Sequence, residues 1–180
     1  MPAAPSPPPE HLADFVRALG PVERALDLGA GDGRLSAMLD ARELTLADVS
    51  AVALERAAAR LPRATTAELE PDAPLPLADN SFDLVLCAET IEHVRDVQLL
   101  LSEARRVLRA GGELAVTTPA HGRLSALRLA ATGWERGFDP LSPHLRFLSA
   151  RSLRALLGEM GFTVGSLQTR AGTLLCRTNR

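Results

Sequence analysis

The fold of this chain is decided by the stretch Arg24-Ala25-Leu26-Asp27-Leu28-Gly29-Ala30-Gly31-Asp32-Gly33-Arg34-Leu35. Its apolar half ends in three glycines at alternate positions, and a helix-like pattern follows them. This order predicts a short buried strand over 23–28, a tight turn, and a helix over 33–41 with Asp32 as its N-cap. Because glycine has no Cβ, the turn would let a ligand approach the backbone closely.

The glycine spacing argues against a dinucleotide site. A dinucleotide-binding turn reads Gly-x-Gly-x-x-Gly, and here Arg34 stands where its third glycine would be. Asp48 ends a second predicted strand, over 43–48, and in doubly wound α/β domains an acid at this place meets ribose hydroxyls. The alternative is that Asp48 is an ordinary loop acid. Ser50 is the predicted N-cap of a helix over 51–60.

Two further blocks follow the same logic. The first is Pro76-Leu77-Ala78-Asp79-Asn80-Ser81-Phe82-Asp83-Leu84-Val85, and its apolar run, over 82–88, predicts a central parallel strand. Asp83 is predicted to bind the backbone near Gly29. The second is Arg106-Val107-Leu108-Arg109-Ala110-Gly111-Gly112-Glu113-Leu114. It predicts a helix over 97–108, capped by Asp96 and ended by Gly111-Gly112, and then a strand over 113–118.

With these three blocks in this order and spacing, over roughly 22–119, the chain resembles the class I S-adenosylmethionine-dependent methyltransferases of the small type 11 group. The likeness continues more loosely from His144-Leu145-Arg146-Phe147 to Gly161-Phe162. It implies an α/β, Rossmann-like, doubly wound seven-stranded sheet, mostly parallel with an antiparallel last strand and helices on both faces. It also implies S-adenosyl-L-methionine as cofactor. The implied reaction is methyl transfer to a small-molecule acceptor by in-line displacement, which depends on alignment rather than on a protein nucleophile.

The resemblance also implies the cofactor site, residue by residue. The acid of strand one and the glycine turn would hold the amino-acid end of the cofactor, and the acid of strand two would bind the ribose. The residues after strand three would flank the adenine, and the end of strand four would close the methionine side. These residues are Asp27, Gly29, Ala30, Gly31, Asp48, Val49, Glu68, Leu69, Ala88 and Glu89. Because the loop after the predicted third strand, over 63–67, is long, Glu70 or Asp72 remains an alternative to Glu68.

A general base helps only an acceptor with a high pKa. Three histidines are candidates, and His121 is the first choice because it follows strand five at the mouth of the expected site. His93 is as readily a structural histidine, and His144 lies in a segment that packs the lid in the resembling family.

A metal-assisted reaction is a weaker alternative. The spacing Glu89-x-x-Glu92-His93 would place two carboxylates and an imidazole on one side of a helical turn, where they can hold a divalent cation. It resembles the metal motif of the small-RNA 3′-end methyltransferases and of some ubiquinone-pathway O-methyltransferases. The same letters occur without a metal in type 11 enzymes, so no metal ligand is assigned from the sequence.

Composition narrows the chemistry. All 20 basic residues are arginine, and lysine and tyrosine are absent, which excludes a P-loop lysine, a Schiff-base lysine and a tyrosine acid. Residues 1–119 hold 11 arginines against 19 acids, a charge of −8, and residues 120–180 hold 9 against 3, a charge of +6. Solvated arginines on helix faces explain this asymmetry, and an anionic acceptor is the alternative. Nucleic acid is a rival substrate, and a non-catalytic cofactor-binding module is a third hypothesis.

The remaining pattern describes one domain over 10–180 behind a proline-rich tail over 1–9. A short helix over 10–19 begins it, and 120–148 is the predicted substrate lid, with a short helix over 124–131. Ser149 is the predicted cap of a helix over 150–160, and strands over 162–168 and 173–177 form a final antiparallel pair. Buried-type cysteines and the lack of a signal or spanning segment predict a cytoplasmic protein with no membrane partner.

Overall fold

The computed structural model describes residues 7–122, 127, 129–131, 133 and 142–180. Most of the proline-rich tail and most of the predicted lid, including much of its helix over 124–131, lie outside these residues. The elements are α1 (Glu10–Arg17), β1 (Pro21–Leu28), a 3₁₀ helix (Ser36–Met38), β2 (Asp40–Asp48), α2 (Ala51–Arg60), β3 (Thr65–Glu68), β4 (Phe82–Ala88), α3 (Val97–Val107), β5 (Leu108–Pro119), α4 (Ala150–Glu159), β6 (Thr163–Arg170) and β7 (Thr173–Asn179).

The strands form one seven-stranded sheet in the order β3-β2-β1-β4-β5-β7-β6. Neighbours from β3 to β5 pair in parallel, and β7 runs antiparallel to both β5 and β6. The predicted Rossmann-like fold is confirmed. The chain reverses its direction across the sheet between β1 and β4, so the carboxyl ends of these two strands border a crevice where ligands bind in this architecture.

The core lies on both faces of the sheet because side chains alternate along each strand. Val85 and Cys87 of β4 face the cluster that holds α3 and α4, whereas Leu84 and Leu86 face the cluster that holds α1. All four are at most 1% exposed. A strand buried on both faces fits the continuous apolar run that predicted β4.

The predicted helix over 33–41 is wrong. The structure has turns followed by the single 3₁₀ turn Ser36–Met38, and β2 already begins at Asp40. Because Asp40 already belongs to β2, where it pairs with Pro21, the glycine turn leaves only residues 34–39 for the connection, which is fewer than two α-helical turns. Asp32 caps no helix there. Its carboxylate instead accepts a hydrogen bond from Arg34 at 2.9 Å.

Two smaller predictions around β4 and β5 are also wrong. Gly111 and Gly112 do not end α3, because the helix stops at Val107 and both glycines lie within β5. Asp83 does not bind near the glycine turn. Its carboxylate accepts from the backbone N–H of Arg24 at 2.7 Å and pairs with Arg109 at 2.7 Å. Asp83 is the second residue of β4, so it lies at the opposite end of the sheet from the glycine turn.

The helices predicted over 51–60, 97–108 and 150–160 are confirmed together with their N-caps. Ser50 accepts from the backbone N–H of Ala53, Asp96 from that of Leu99, and Ser149 from that of Ser152. No helix within the described ranges is both long and apolar enough to cross a membrane.

Candidate active site

Two glycines of the turn after β1, Gly29 and Gly33, lie in close contact with neighbouring segments. Gly29 has a φ of +84°, and a Cβ there would lie 2.3 Å from the Thr90 side-chain oxygen. Gly33 has a φ of +77°, and its Cβ would lie 3.2 Å from Ala57 of α2. Left-handed backbone without a side chain is what glycine provides. The turn therefore packs directly against the segment that follows β4.

Asp48 completes the edge of this turn from the end of β2. One carboxylate oxygen accepts from the backbone N–H of Gly31 at 2.8 Å, and the other accepts from that of Ser50 at 2.9 Å. Each oxygen keeps a further lone pair. The carboxylate is thus held in one orientation beside the glycine turn, and it can still accept hydrogen bonds from a ligand.

A cavity of about 540 Å³ opens in front of these residues. This volume is within the usual range for small-molecule sites. Of the sequence-predicted cofactor residues, the structure brings five to its wall: Gly29, Asp48, Val49, Leu69 and Glu89. The remaining five, Asp27, Ala30, Gly31, Glu68 and Ala88, do not line it.

Asp27 lies beneath the turn. It is 2% exposed, and its carboxylate accepts a hydrogen bond from the Ser36 hydroxyl at 2.6 Å. Burial raises the pKa of Asp27 to about 7; the Ser36 hydroxyl opposes this rise, and the charge of Asp48 adds to it. The residue holds the 3₁₀ turn against the end of β1.

Glu68 is exposed on the edge strand β3, where it pairs with Asp48 in register. The two acids kept as alternatives to it, Glu70 and Asp72, both line the cavity. Leu69 lies between them and Glu68, and its backbone N–H donates to the Asp48 carbonyl at 2.9 Å. Because the loop after β3 is long, the acids that line the cavity, Glu70 and Asp72, lie beyond the end of the strand.

Glu89 forms the opposite wall, directly after β4. Its φ is +51°, and its carboxylate accepts from the Thr117 hydroxyl at 2.9 Å while its backbone N–H donates to the Thr117 carbonyl at 2.9 Å. Burial raises the pKa of Glu89, with Thr117 opposing and the charge of Glu92 adding to the rise. The paired hydrogen bonds to β5 fix this unusual backbone.

The three candidate histidines lie near one another beyond the carboxyl ends of β4 and β5. His93 lines the cavity, and its ring centroid is 4.8 Å from that of His144. His121 does not line the cavity; its ring packs edge-on against Phe147 at 4.9 Å. Burial lowers the pKa of His121, and neighbouring His144 lowers it further. A lowered pKa keeps His121 neutral near pH 7, the form a general base needs.

Sequence reasoning missed part of the wall. Val94, Leu99, Leu100 and Glu103 line the cavity from α3 and the turn before it. The amphipathic pattern of α3 was visible, but it does not say which part of the apolar face packs on the sheet and which part borders the cavity. Glu103 also holds the loop before β4, because its carboxylate accepts from the backbone N–H of Leu75 at 2.7 Å.

The fold is a doubly wound α/β domain with a cavity at the carboxyl ends of β1, β2 and β4, the place where nucleotide-containing ligands bind in this architecture. A family model described as "Methyltransferase domain", of the type 11 group, matches residues 26–116. The chain belongs to this family of S-adenosylmethionine-dependent methyltransferases. That match covers the glycine turn, Asp48 and Glu89.

The chain is similar to malonyl-[acyl-carrier protein] O-methyltransferase of Methylococcus capsulatus, with 35% identity over 89% of this chain and 60% of the relative. It is also similar to ubiquinone biosynthesis O-methyltransferase of Parvibaculum lavamentivorans, with 31% identity over 87% of this chain and 66% of the relative. The chain thus spans less than two thirds of the length of these relatives. The fold matches the crystal structure of a methyltransferase from Bacillus halodurans, with a TM-score of 0.78, 16% identity, and coverage of 95% of this chain and 99% of that one.

Proposed function

We propose that this protein transfers the methyl group of S-adenosylmethionine to a small-molecule acceptor bound at the Glu89 end of the cavity. The observation that carries the proposal is the Asp48 carboxylate, fixed at the end of β2 on the wall of a cavity large enough for a nucleoside. A carboxylate with free lone pairs is a suitable acceptor for the two hydroxyls of a ribose.

The rest of the wall suits the same cofactor. Val49 is 57% exposed beside Asp48 and lines the cavity, so its apolar surface is available to pack against a flat ligand. Leu69 lines the same region. At the other end, the Glu89 carboxylate offers a negative charge to a cationic ligand. Polar groups at the two ends and apolar side chains between them match a molecule with a ribose, an aromatic base and a charged amino-acid tail.

The bound cofactor supplies an electrophilic methyl group, so the protein needs no nucleophile of its own. Its residues hold both partners in line and exclude water. Alignment alone can lower the barrier to methyl transfer by about 7–11 kcal/mol. His121, whose pKa burial lowers, lies outside the cavity wall, so it is the proposed base only for an acceptor that extends beyond the cavity and must lose a proton.

A small molecule is favoured over nucleic acid because much of the basic charge in the described C-terminal part is used within the fold. Arg177 forms a two-point ion pair with Glu113, at 2.5 and 2.8 Å. Arg146 donates to the carbonyls of Val94 and Arg95, and Arg170 pairs with Asp14. Arg146 and Arg177 are thus held within the fold, and Arg170 pairs only at the surface, so the basic charge does not form a continuous phosphate-binding stripe among these residues. The two similar O-methyltransferases make oxygen acceptors the first class to screen.

Calorimetric titration with S-adenosylmethionine tests the cofactor site. Asp48→Ala should weaken binding about 10- to 100-fold, because hydrogen bonds to a charged group contribute roughly 1.5–3 kcal/mol. Asp48→Asn keeps one acceptor oxygen, but its NH₂ group cannot accept from the second of the two backbone N–H groups, those of Gly31 and Ser50, so it should bind with intermediate affinity. Wild-type affinity in a folded Asp48→Ala protein would refute the ribose assignment.

The acceptor is tested by measuring release of S-adenosylhomocysteine with carboxylic-acid, phenol and RNA acceptors. Turnover on a small oxygen acceptor supports the proposal. Turnover on RNA alone would replace it with a nucleic-acid methyltransferase, and cofactor binding without turnover on any acceptor would indicate a non-catalytic module.

A further inference from the structure

Past the end of β4, three side chains converge that the proposed reaction does not use. Glu92 and His93 lie in the turn after β4, and His144 lies in the extended segment before α4. A carboxylate oxygen and one ring nitrogen from each histidine all lie within 4.8 Å of one another. The two parts of the chain that carry these side chains are distant in sequence, so the convergence is produced by the fold.

Glu92 contributes a buried oxygen that lacks a hydrogen-bond partner in the part of the chain that the structure describes. The residue is 1% exposed, and one oxygen accepts from the Thr118 hydroxyl at 3.0 Å. The other, Oε1, has no hydrogen-bond partner among the described residues. An unsatisfied buried carboxylate oxygen is costly, and in native proteins such an atom commonly has a function.

The hydrogen bond of His93 to the Pro143 carbonyl turns the second ring nitrogen toward Glu92. Its Nδ1 lies 3.1 Å from the carbonyl oxygen of Pro143, which can only accept a hydrogen bond, so Nδ1 carries the proton. In the neutral ring Nε2 then presents a lone pair. This Nε2 lies 3.8 Å from Oε1 of Glu92. Two lone pairs that face each other in a partly buried site require a positive charge between them.

The segment that carries His144 is fixed against the turn that carries the other two. The backbone N–H groups of Leu145 and Arg146 donate to the Glu92 carbonyl at 2.8 and 3.2 Å. The Arg146 guanidinium donates to the carbonyls of Val94 and Arg95. The backbone that carries the three ligating groups is therefore held in place before any ligand arrives, which lowers the entropic cost of binding.

We propose that Glu92, His93 and His144 form a binding site for a divalent transition-metal ion. Two imidazoles and one carboxylate suit zinc, iron or manganese better than magnesium, which prefers oxygen ligands. Two contacts beyond the ligands are typical of such sites: the Pro143 carbonyl fixes the His93 tautomer, and Thr118 orients the carboxylate.

The ligand set differs from the one that the Glu89-x-x-Glu92-His93 spacing indicated. The turn after β4 is not helical, and the Glu89 carboxylate is bonded to Thr117. His144 takes the third position instead. Because His93 also lines the cofactor cavity, a metal held here would have open coordination positions near that cavity, where an oxygen of an acceptor can bind.

Metal binding is tested on the full-length, chelator-treated protein without cofactor or acceptor, so this result and that of the methyl-transfer assay are independent. Zn²⁺ is titrated by calorimetry, and Co²⁺ is followed by its visible absorption, which reports nitrogen and oxygen ligands directly. We expect one equivalent to bind. His144→Gln and Glu92→Gln should each weaken binding at least 10-fold, and Thr118→Val should weaken it about 10-fold.

His11→Gln is the matched control, because His11 contacts Thr173 instead of the cluster and should bind metal as the wild type does. Circular dichroism verifies folding; if the buried Glu92→Gln change prevents it, the half-buried His144 decides the test. Absence of one-to-one binding to the wild type would overturn the site and leave a proton shared by Glu92 and His93. Unchanged affinity in His144→Gln, or tighter binding of Mg²⁺ than of Zn²⁺, would overturn the ligand assignment.

Discussion

Replacing Asp27 by asparagine should change how the stability of the ligand-free protein depends on pH. The Asp27 carboxyl is 2% exposed and touches the Ser36 hydroxyl, and asparagine has nearly the same shape and can accept the same hydrogen bond. The substitution therefore removes a titrating group and leaves the packing beneath the glycine turn intact.

The size of the effect follows from the two protonation equilibria. The pKa of Asp27 rises from an ordinary 3.8 to about 7 on folding, chiefly because of burial. Since one pKa unit corresponds to about 1.4 kcal/mol, ionisation costs the folded state about 4 kcal/mol. A raised pKa contributes stability that is fully present below pH 4 and is lost as pH rises through 7. About 2.5 kcal/mol of this loss falls between pH 5 and pH 8.

Urea unfolding of both proteins at pH 5 and pH 8 measures this difference. The advantage of Asp27→Asn over the wild type should grow by about 2.5 kcal/mol from the lower to the higher pH. Asp40→Asn, at an exposed position on β2, is the control for the chemical change itself. Parallel pH profiles for the wild type and Asp27→Asn would show that Asp27 ionises freely in the folded state, and the reasoning would be refuted.

Two further substitutions test the packing that shapes the site. Gly29→Ala should destabilise the protein by about 1–3 kcal/mol and weaken S-adenosylmethionine binding, because the new Cβ would meet Thr90 at 2.3 Å in a left-handed backbone. Gly111→Ala, with a φ of +74° and open space around it, is the control for backbone strain alone; equal effects of the two would contradict the clash. Arg106→Met should lower the free energy of urea unfolding by about 3 kcal/mol, because Glu103 loses both bonds of a two-point ion pair; a loss below about 0.5 kcal/mol would contradict this.

The elements that sequence patterns predicted well are those set by neighbours in the chain. The apolar run of β4 and the caps Ser50, Asp96 and Ser149 are local signals, and the structure has all of them. The helix over 33–41 failed because its length depended on the register between β1 and β2. No local pattern contains that register.

The same distinction between local sequence signals and tertiary contacts holds for the candidate cofactor site. Asp48 was predicted at the strand end beside the glycine turn, and the structure joins the two by a hydrogen bond of 2.8 Å. The acid at the cavity wall after β3 was left open, because the path of a long loop is set by its anchors. Here those anchors include Glu103, whose carboxylate holds the backbone of Leu75.

Apart from the helix over 33–41, the sequence alone thus determined the order of strands and helices, the parallel sheet and the glycine turn, because each depends on periodicity or on conformations that few residues adopt. Only the tertiary structure decided which side chains meet across the crevice. Thr90 against Gly29, and His144 beside Glu92 and His93, are contacts between segments whose positions follow from sheet register and loop path. These contacts act through space at a few ångströms, so residue spacing along the chain does not encode them.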